Sequence, residues 1–190
     1  MASELHVDAI KHSGGTSALT IDSSGNVHKA GLTLQTVYNS YSTQTVISNA
    51  SNSPVGANTY YDTGLTCTIT PKFNTSKIYI LTTQYIRLND QAGNPNVGAG
   101  FKFFRDTTAI YTSATHAAFY HYDADGNEND FRGYNAIALL DSPSSTSAIT
   151  YKVQVSKYGD GYVSAQHDGE LSSMTLMDRD WETMLLHYNL

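Results

Sequence analysis

A single cysteine, Cys67, rules out any intrachain disulfide, so the chain is not one of the stapled scaffolds common among small secreted domains. Cys67 falls within a strand-like run and reads as a small core residue. Charged side chains make up only 15% of the 190 residues, and acidic ones outnumber basic ones for a net charge of −6, which argues against a nucleic-acid binder needing a basic stripe. Sugars, proteins and cations remain open as partners. No apolar run approaches the roughly 20 residues of a membrane-spanning helix, so membrane insertion is not expected. The opening MASELHVDAIKH lacks the basic and apolar regions of a signal peptide, and the expectation is synthesis and folding in a cytoplasm.

What the chain does have is Thr, Ser, Asn, Gly and Tyr. Fourteen Tyr and 14 Gly stand against 4 Pro, a balance that suits pleated sheets joined by tight turns. The clearest stretch is 61–88. Leu65, Cys67 and Ile69 alternate with threonines at the period of two expected of a half-buried strand. Pro71 removes a ladder donor and stops that strand, and KFNTSK supplies a turn. Ile78 to Leu88 then runs for eleven residues, roughly 36 Å at about 3.3 Å each. Ile78, Ile80, Thr82, Gln84, Ile86 and Leu88 share one face; Tyr79, Leu81, Thr83, Tyr85 and Arg87 share the other. Both faces are largely apolar in the first half, which predicts a central strand covered on each side.

Further strands are predicted at 32–38, 44–48, 101–105, 109–112, 116–122, 131–140, 148–157, 162–166 and 173–177. In the segment AITYKVQVSK, Ile149, Tyr151, Val153 and Val155 alternate cleanly toward a core. Segments 49–58 and 89–100 read as turn-rich connections. Eight or more strands at close spacing predict an all-β fold, an antiparallel β-sandwich of jelly-roll type over residues 31–178. Residues 1–30 differ: their strands are too short and too few to bury a face alone, so they need partners in other copies or in a larger assembly. Residues 179–190 form a tail, predicted either as a short helix capped by Asp178 or Asp180 or as an irregular segment.

Residues 4–28, ELHVDAIKHSGGTSALTIDSSGNVH, resemble the N-terminal module of many small fibre-like virion proteins of tailed phages, especially marine ones. Residues 31–178 resemble the domain that often follows it. The matching pieces are Ala30-Gly31 and Leu34-Gln35-Thr36-Val37, Tyr61-Asp62-Thr63-Gly64-Leu65, Ile69-Thr70-Pro71, Ser76-Lys77-Ile78, Phe104-Arg105-Asp106 with Ala109-Ile110, Leu140-Asp141-Ser142-Pro143, Thr150-Tyr151-Lys152-Val153-Gln154 and Thr175-Leu176-Met177. The resemblance implies a homotrimeric virion fibre or spike with a β-sandwich head. The chain departs from that pattern after Asp178, where a dozen more residues follow instead of two or three small apolar ones.

Candidate chemistry is sparse. The acidic segment 123–130 offers Asp123, Asp125, Asn127 and Asp130 as calcium ligands, but its glycine sits at the fourth position where an EF-hand needs it at the sixth, and Tyr134 stands where the closing Glu belongs. A solvated turn is the preferred reading, and no cofactor is expected. No histidine pair has HxxxH spacing; a ring of His6, His12 or His28 about a three-fold axis is the remaining metal arrangement. No Gly-x-Ser-x-Gly elbow is present. Asp160 with Asp168, or Asp90 with Asp106, are the carboxylate pairs an enzyme would use on glycosides.

Tyr111, Phe119, Tyr120, Tyr122, Phe131 and Tyr134 combine apolar area with, in the tyrosines, a polar tip, suited either to packing or to sugars. Tyr120, Tyr122 and Phe131 are the expected receptor contacts. Leu5, Val7, Ile10, Leu19, Ile21 and Val27 are the expected virion anchor. The sequence thus predicts a non-enzymatic virion protein, assembled in the host cytoplasm, that forms a homotrimer, docks on other tail or capsid proteins through residues 1–30 and binds a host-surface glycan or protein through its head. The alternatives are a capsid decoration or head-fibre protein with a stabilising role, and a glycan depolymerase or esterase.

Overall fold

The structure is a computed structural model; it describes residues 6–15, 17–25, 27–29, 32–48, 59–90, 96–116, 118–122, 127–159 and 161–179. Strands β1 (Ala9–Lys11), β2 (Ser17–Ile21) and β3 (Val27–His28) form a three-stranded antiparallel sheet in the order β1-β2-β3. Its second turn closes where the Asp22 carboxylate accepts from the Ser24 amide at 2.9 Å and Gly25 takes the left-handed conformation at φ 80°.

The remaining strands build two antiparallel sheets over one core. The first contains β6 (Tyr60–Ile69), β9 (Phe101–Arg105), β10 (Thr108–Thr112) and β13 (Ile149–Ser156), in the order β10-β9-β13-β6. The second is organised on β7 (Lys77–Asn89). One edge of β7 pairs first with β16 (Ser172–Arg179) and further along with β15 (Tyr162–Ala165); its other edge pairs along its length with β12 (Asp130–Asp141). β4 (Thr33–Tyr41) lies outside β16, and β5 (Thr45–Ser48) outside β15.

The period-two pattern explains the core. Leu65, Cys67 and Ile69 from β6, Ile149, Tyr151, Val153 and Val155 from β13, and Phe101 and Phe103 from β9 meet Ile78, Ile80, Ile86 and Leu88 from β7 and Met174 and Leu176 from β16. Fully burying each such side chain contributes about 1.5–3 kcal/mol. Burial pushes the Cys67 thiol pKa up, as for an inert structural cysteine. The Tyr151 ring is also buried, and its hydroxyl donates to Asp141 at 2.7 Å; burial and that carboxylate both hold the phenol protonated.

Two features depart from the sequence expectation. Asn96–Ala99, inside the predicted connection 89–100, is a strand, β8, and it runs almost directly into β9 across Gly100. A Cβ on Gly100 would stand 2.1 Å from the Ala114 carbonyl oxygen, so only glycine permits that crossing. β8 pairs on one side with β11 (Phe119–Tyr122) and on the other with β14 (Tyr158–Gly159), which continues β13. The result is a small three-stranded sheet, β11-β8-β14, prolonging the first large one. Second, β7 is covered on one face only. Ile78, Ile80, Thr82, Gln84, Ile86 and Leu88 are buried, whereas Leu81 and Thr83 opposite are exposed. The tail at 180–190 lies outside the described residues.

Candidate functional site

The outer face of the small sheet carries a cluster of aromatic rings built by cross-strand register. Tyr120 of β11 and Tyr158 of β14 are both partners of Gly98 on the central strand. Side chains facing one another across a ladder share a face, so both rings lean over the space above Gly98. Their centroids come within 6.0 Å. His116, from the loop before β11, completes the cluster at 4.7 Å from Tyr158 and 6.0 Å from Tyr120, in tilted and edge-to-face geometry. Gly98 makes this arrangement available: a Cβ there would lie 3.0 Å from the His116 Cβ.

Polar groups border the rings. The Tyr120 hydroxyl donates to Asn96 Oδ1 at 2.7 Å, which fixes the ring and leaves the Asn96 amide group beside it. Tyr122 is the register partner of Asn96 and extends the same face. Tyr120 is 51% exposed and Tyr122 57%. Flat rings with adjacent amide and hydroxyl groups offer both stacking area and directional hydrogen bonds, the combination that saccharide C–H faces and hydroxyls use.

Phe131 does not join this surface. Phe119 and His121 point to the opposite face of β11, and Phe131 packs there, 5.7 Å from Phe119 and stacked 6.4 Å from His121 at 9°. Of the expected receptor contacts, Tyr120 and Tyr122 therefore share one face and Phe131 lies behind it. Tyr134 sits on the outer face of the second large sheet, edge-on to Tyr85 at 4.9 Å, with its hydroxyl donating to Glu170 at 3.0 Å. Burial and that carboxylate raise the Tyr134 pKa.

Within the acidic segment, Asn127 and Asp130 are described; Asp123 and Asp125 lie outside the described residues. The Asp130 carboxylate accepts from Arg87 Nε at 2.8 Å and from Arg132 Nη2 at 2.8 Å. Partial burial works against its charge, but the hydrogen bonds from Arg132 and Arg87 outweigh it and bring its pKa down to about 2. Arg132 also reaches Asp168 at 2.7 Å, and its own pKa is raised by these carboxylates. Asp168 belongs to a 3-10 turn, His167–Gly169, in which Gln166 and Asp168 both have positive φ. Burial, and Arg87 nearby, lower the His167 pKa. Asp130 is thus committed to two guanidinium groups. Among the described residues, no three His, Cys, Asp or Glu side chains are placed to hold a metal ion.

Asp90 is wholly buried at the end of β7; one oxygen accepts from the Asn129 amide and the other stands 3.5 Å from His121 Nε2. Asp106 lies exposed in the β9–β10 turn and accepts from the Thr150 amide at 2.9 Å. The two sit in separate hydrogen-bonded settings. Asp160, the expected partner of Asp168, lies outside the described residues.

In the N-terminal sheet, Ile10 and Leu19 are register partners, and Ile10 and Val27 are exposed while Val7, Leu19 and Ile21 are half-buried. Leu5 lies outside the described residues. His12 Nδ1 accepts from the Gly14 amide at 3.0 Å and His6 is exposed.

Sequence reasoning did not single out Asn96, Gly98 or Tyr158 as members of the site. The available signals were the alternation of Tyr120 and Tyr122 and the tyrosine opening Tyr158-Gly159-Asp160-Gly161. Compared with protein-family models and with curated proteins, the chain matches none.

Proposed function

We propose that this chain is a non-enzymatic structural protein of a tailed-phage virion: a homotrimeric fibre or spike that attaches to the particle through residues 1–30 and binds the host surface through its head. The observation that carries the reading is the cluster of exposed His116 and Tyr120 with half-buried Tyr158 over Gly98, and Tyr122 and Asn96 beside it. Side chains from three separated segments converge on one face, and the one residue that would obstruct them is glycine. Such a surface suits stacking on saccharide rings.

The strand orders support a jelly-roll head. One sheet runs β6-β13-β9-β10 and the other contains β4-β16-β7-β12; apart from the β9–β10 hairpin, these eight strands alternate between the two sheets along the chain. The resemblance of residues 4–28 to phage fibre modules supports the virion anchor, and the apolar Ile10 and Val27 left exposed on that small sheet suit docking. Three heads on one stalk would multiply weak glycan contacts by avidity.

The test is competition. Excess purified protein should block adsorption of the phage that encodes it, and a Tyr120→Ala, Tyr158→Ala protein of unchanged fold should not. Equal blocking by both proteins removes the platform from the reading. Undiminished adsorption together with particles that lose heat resistance when the gene is deleted would favour the capsid-decoration role instead.

A further inference from the structure

We infer that the outer face of the β4-β16-β7-β12 sheet is the contact between copies of this chain, so that the head holds the trimer together and residues 1–30 serve attachment. The inference rests on the trimeric reading and adds where the subunits meet. The face is assembled by register: Tyr79, Leu81, Thr83, Tyr85 and Arg87 of β7 lie opposite Leu140, Ala138, Ala136, Tyr134 and Arg132 of β12. On the other side Met177, Thr175 and Ser173 of β16 flank the first three. Tyr38 of β4 follows beside Thr175.

This face does not have the composition of a solvated surface. Leu81 is 37% exposed, Leu140 51%, Tyr134 53% and Tyr38 58%. No charged side chain stands among them. Charges collect at its ends, with Arg87, Asp130, Arg132, Asp168 and Glu170 at one and Lys77 and Arg179 at the other. An uncharged aromatic and aliphatic centre inside a charged rim is the anatomy of a protein interface. The alanines and threonines between the large side chains leave room for side chains of a neighbouring copy.

The other large sheet provides an internal comparison. Its outer face carries Asp62, Lys102, Phe104 and Lys152. Lys152 pairs with Asp62 at 3.1 Å, and both lysines lie 5.1 Å from the Phe104 ring. That face carries charged side chains across its centre, as a solvated surface does. The two faces differ although both belong to one sandwich, so the apolar one is matched to a different neighbour.

Size and continuity select a second copy as that neighbour. Two strands of about 36 Å and two of about 23 Å, spaced about 4.8 Å, give a flat area of about 570 Å² per copy, or about 1,700 Å² summed over three copies whose faces converge on one axis. β12 adds a second requirement. It is twelve residues long and, among the described residues, no strand ladders to its far edge. An edge of that length beside an apolar face is an aggregation hazard unless it is covered, and closed packing of copies about an axis covers edge and face together.

The experiment is multi-angle light scattering on the full chain at micromolar concentration, with Leu81→Lys, Leu140→Lys as the test protein and Thr107→Lys, in the β9–β10 turn, as the charge control. Wild type and control should both have a mass three times that of the chain, and the double variant should fall to one third of it with unchanged circular dichroism. A monomeric wild type overturns both the trimeric reading and the inference. A folded double variant that keeps the trimer mass overturns the inference alone. Should the double variant not fold, spin labels decide: labels at Ala138→Cys in the full chain should lie within about half the separation of labels at Thr107→Cys, and equal or longer separations refute the contact.

Discussion

Replacing Asp178 should destabilise the head in a graded way. Its carboxylate is wholly buried near the end of β16, and a single oxygen, Oδ2, accepts from the Lys72 amide at 2.7 Å and from Gln35 Nε2 at 3.0 Å. One side chain therefore ties the turn after Pro71 and strand β4 to the last strand. Hydrogen bonds to a charged group contribute about 1.5–3 kcal/mol each, and the Lys72 amide, at an exposed turn, recovers part of its loss from water. Asp178→Ala should cost about 3 kcal/mol. Asp178→Asn can keep both bonds through its carbonyl oxygen and then buries an amide group where Oδ1 already has no partner, so its cost should be about 1–2 kcal/mol. In thermal unfolding at one fixed chain concentration the alanine variant should melt about 6–12 °C lower. Urea unfolding followed by circular dichroism gives the same ranking. An alanine cost below about 1 kcal/mol, or an asparagine cost equal to it, would refute the reasoning.

Other outcomes follow from the same contacts. Asp130 has a folded pKa of about 2 against about 3.9 for a free aspartate, so its contribution is complete above about pH 4 and disappears as pH falls toward 2. At neutral pH, Asp130→Asn should cost about 0.5–1 kcal/mol after allowance for solvent screening, and urea midpoints of variant and wild type should converge in acid. A difference that persists at pH 2 contradicts this. Gly98→Val should displace His116, press on the Phe119 carbonyl of the neighbouring strand and weaken the proposed saccharide binding about tenfold or more; glycan-array titration beside a melting curve separates lost binding from lost stability. Since both oxygens of Asp130 are held by guanidinium groups, millimolar calcium should leave the melting temperature unchanged. A rise of several degrees that chelator reverses would restore the acidic segment as a calcium site.

The legible parts of the fold were those in which one strand carries its own evidence. β13 alternates Ile149, Tyr151, Val153 and Val155 without interruption, and all four are buried. β8 was hidden because Asn96-Val97-Gly98-Ala99 has one large apolar side chain, and its strand character comes from the partners on either side. The aromatic cluster was hidden for a related reason. Its members lie near 96–98, 116–122 and 158 in the chain, and the residue that organises them, Gly98, contributes no side chain. The two faces of β7, both largely apolar in the first half, predict a strand covered on both sides. Within one chain only the Ile78–Leu88 face is covered, and the proposed contact between copies supplies the second cover. Alternation reports which residues need burial; whether the same chain or another provides it is a property of assembly.

The proposed virion role is the central claim, and imaging of intact phage particles tests it most directly. Electron cryomicroscopy, with the chain identified in the same purified particles by mass spectrometry, should find it in multiples of three, with residues 1–30 innermost and the head projecting outward. Particles that assemble and infect without the chain, or that carry it singly with the head buried against the shell, would contradict the account.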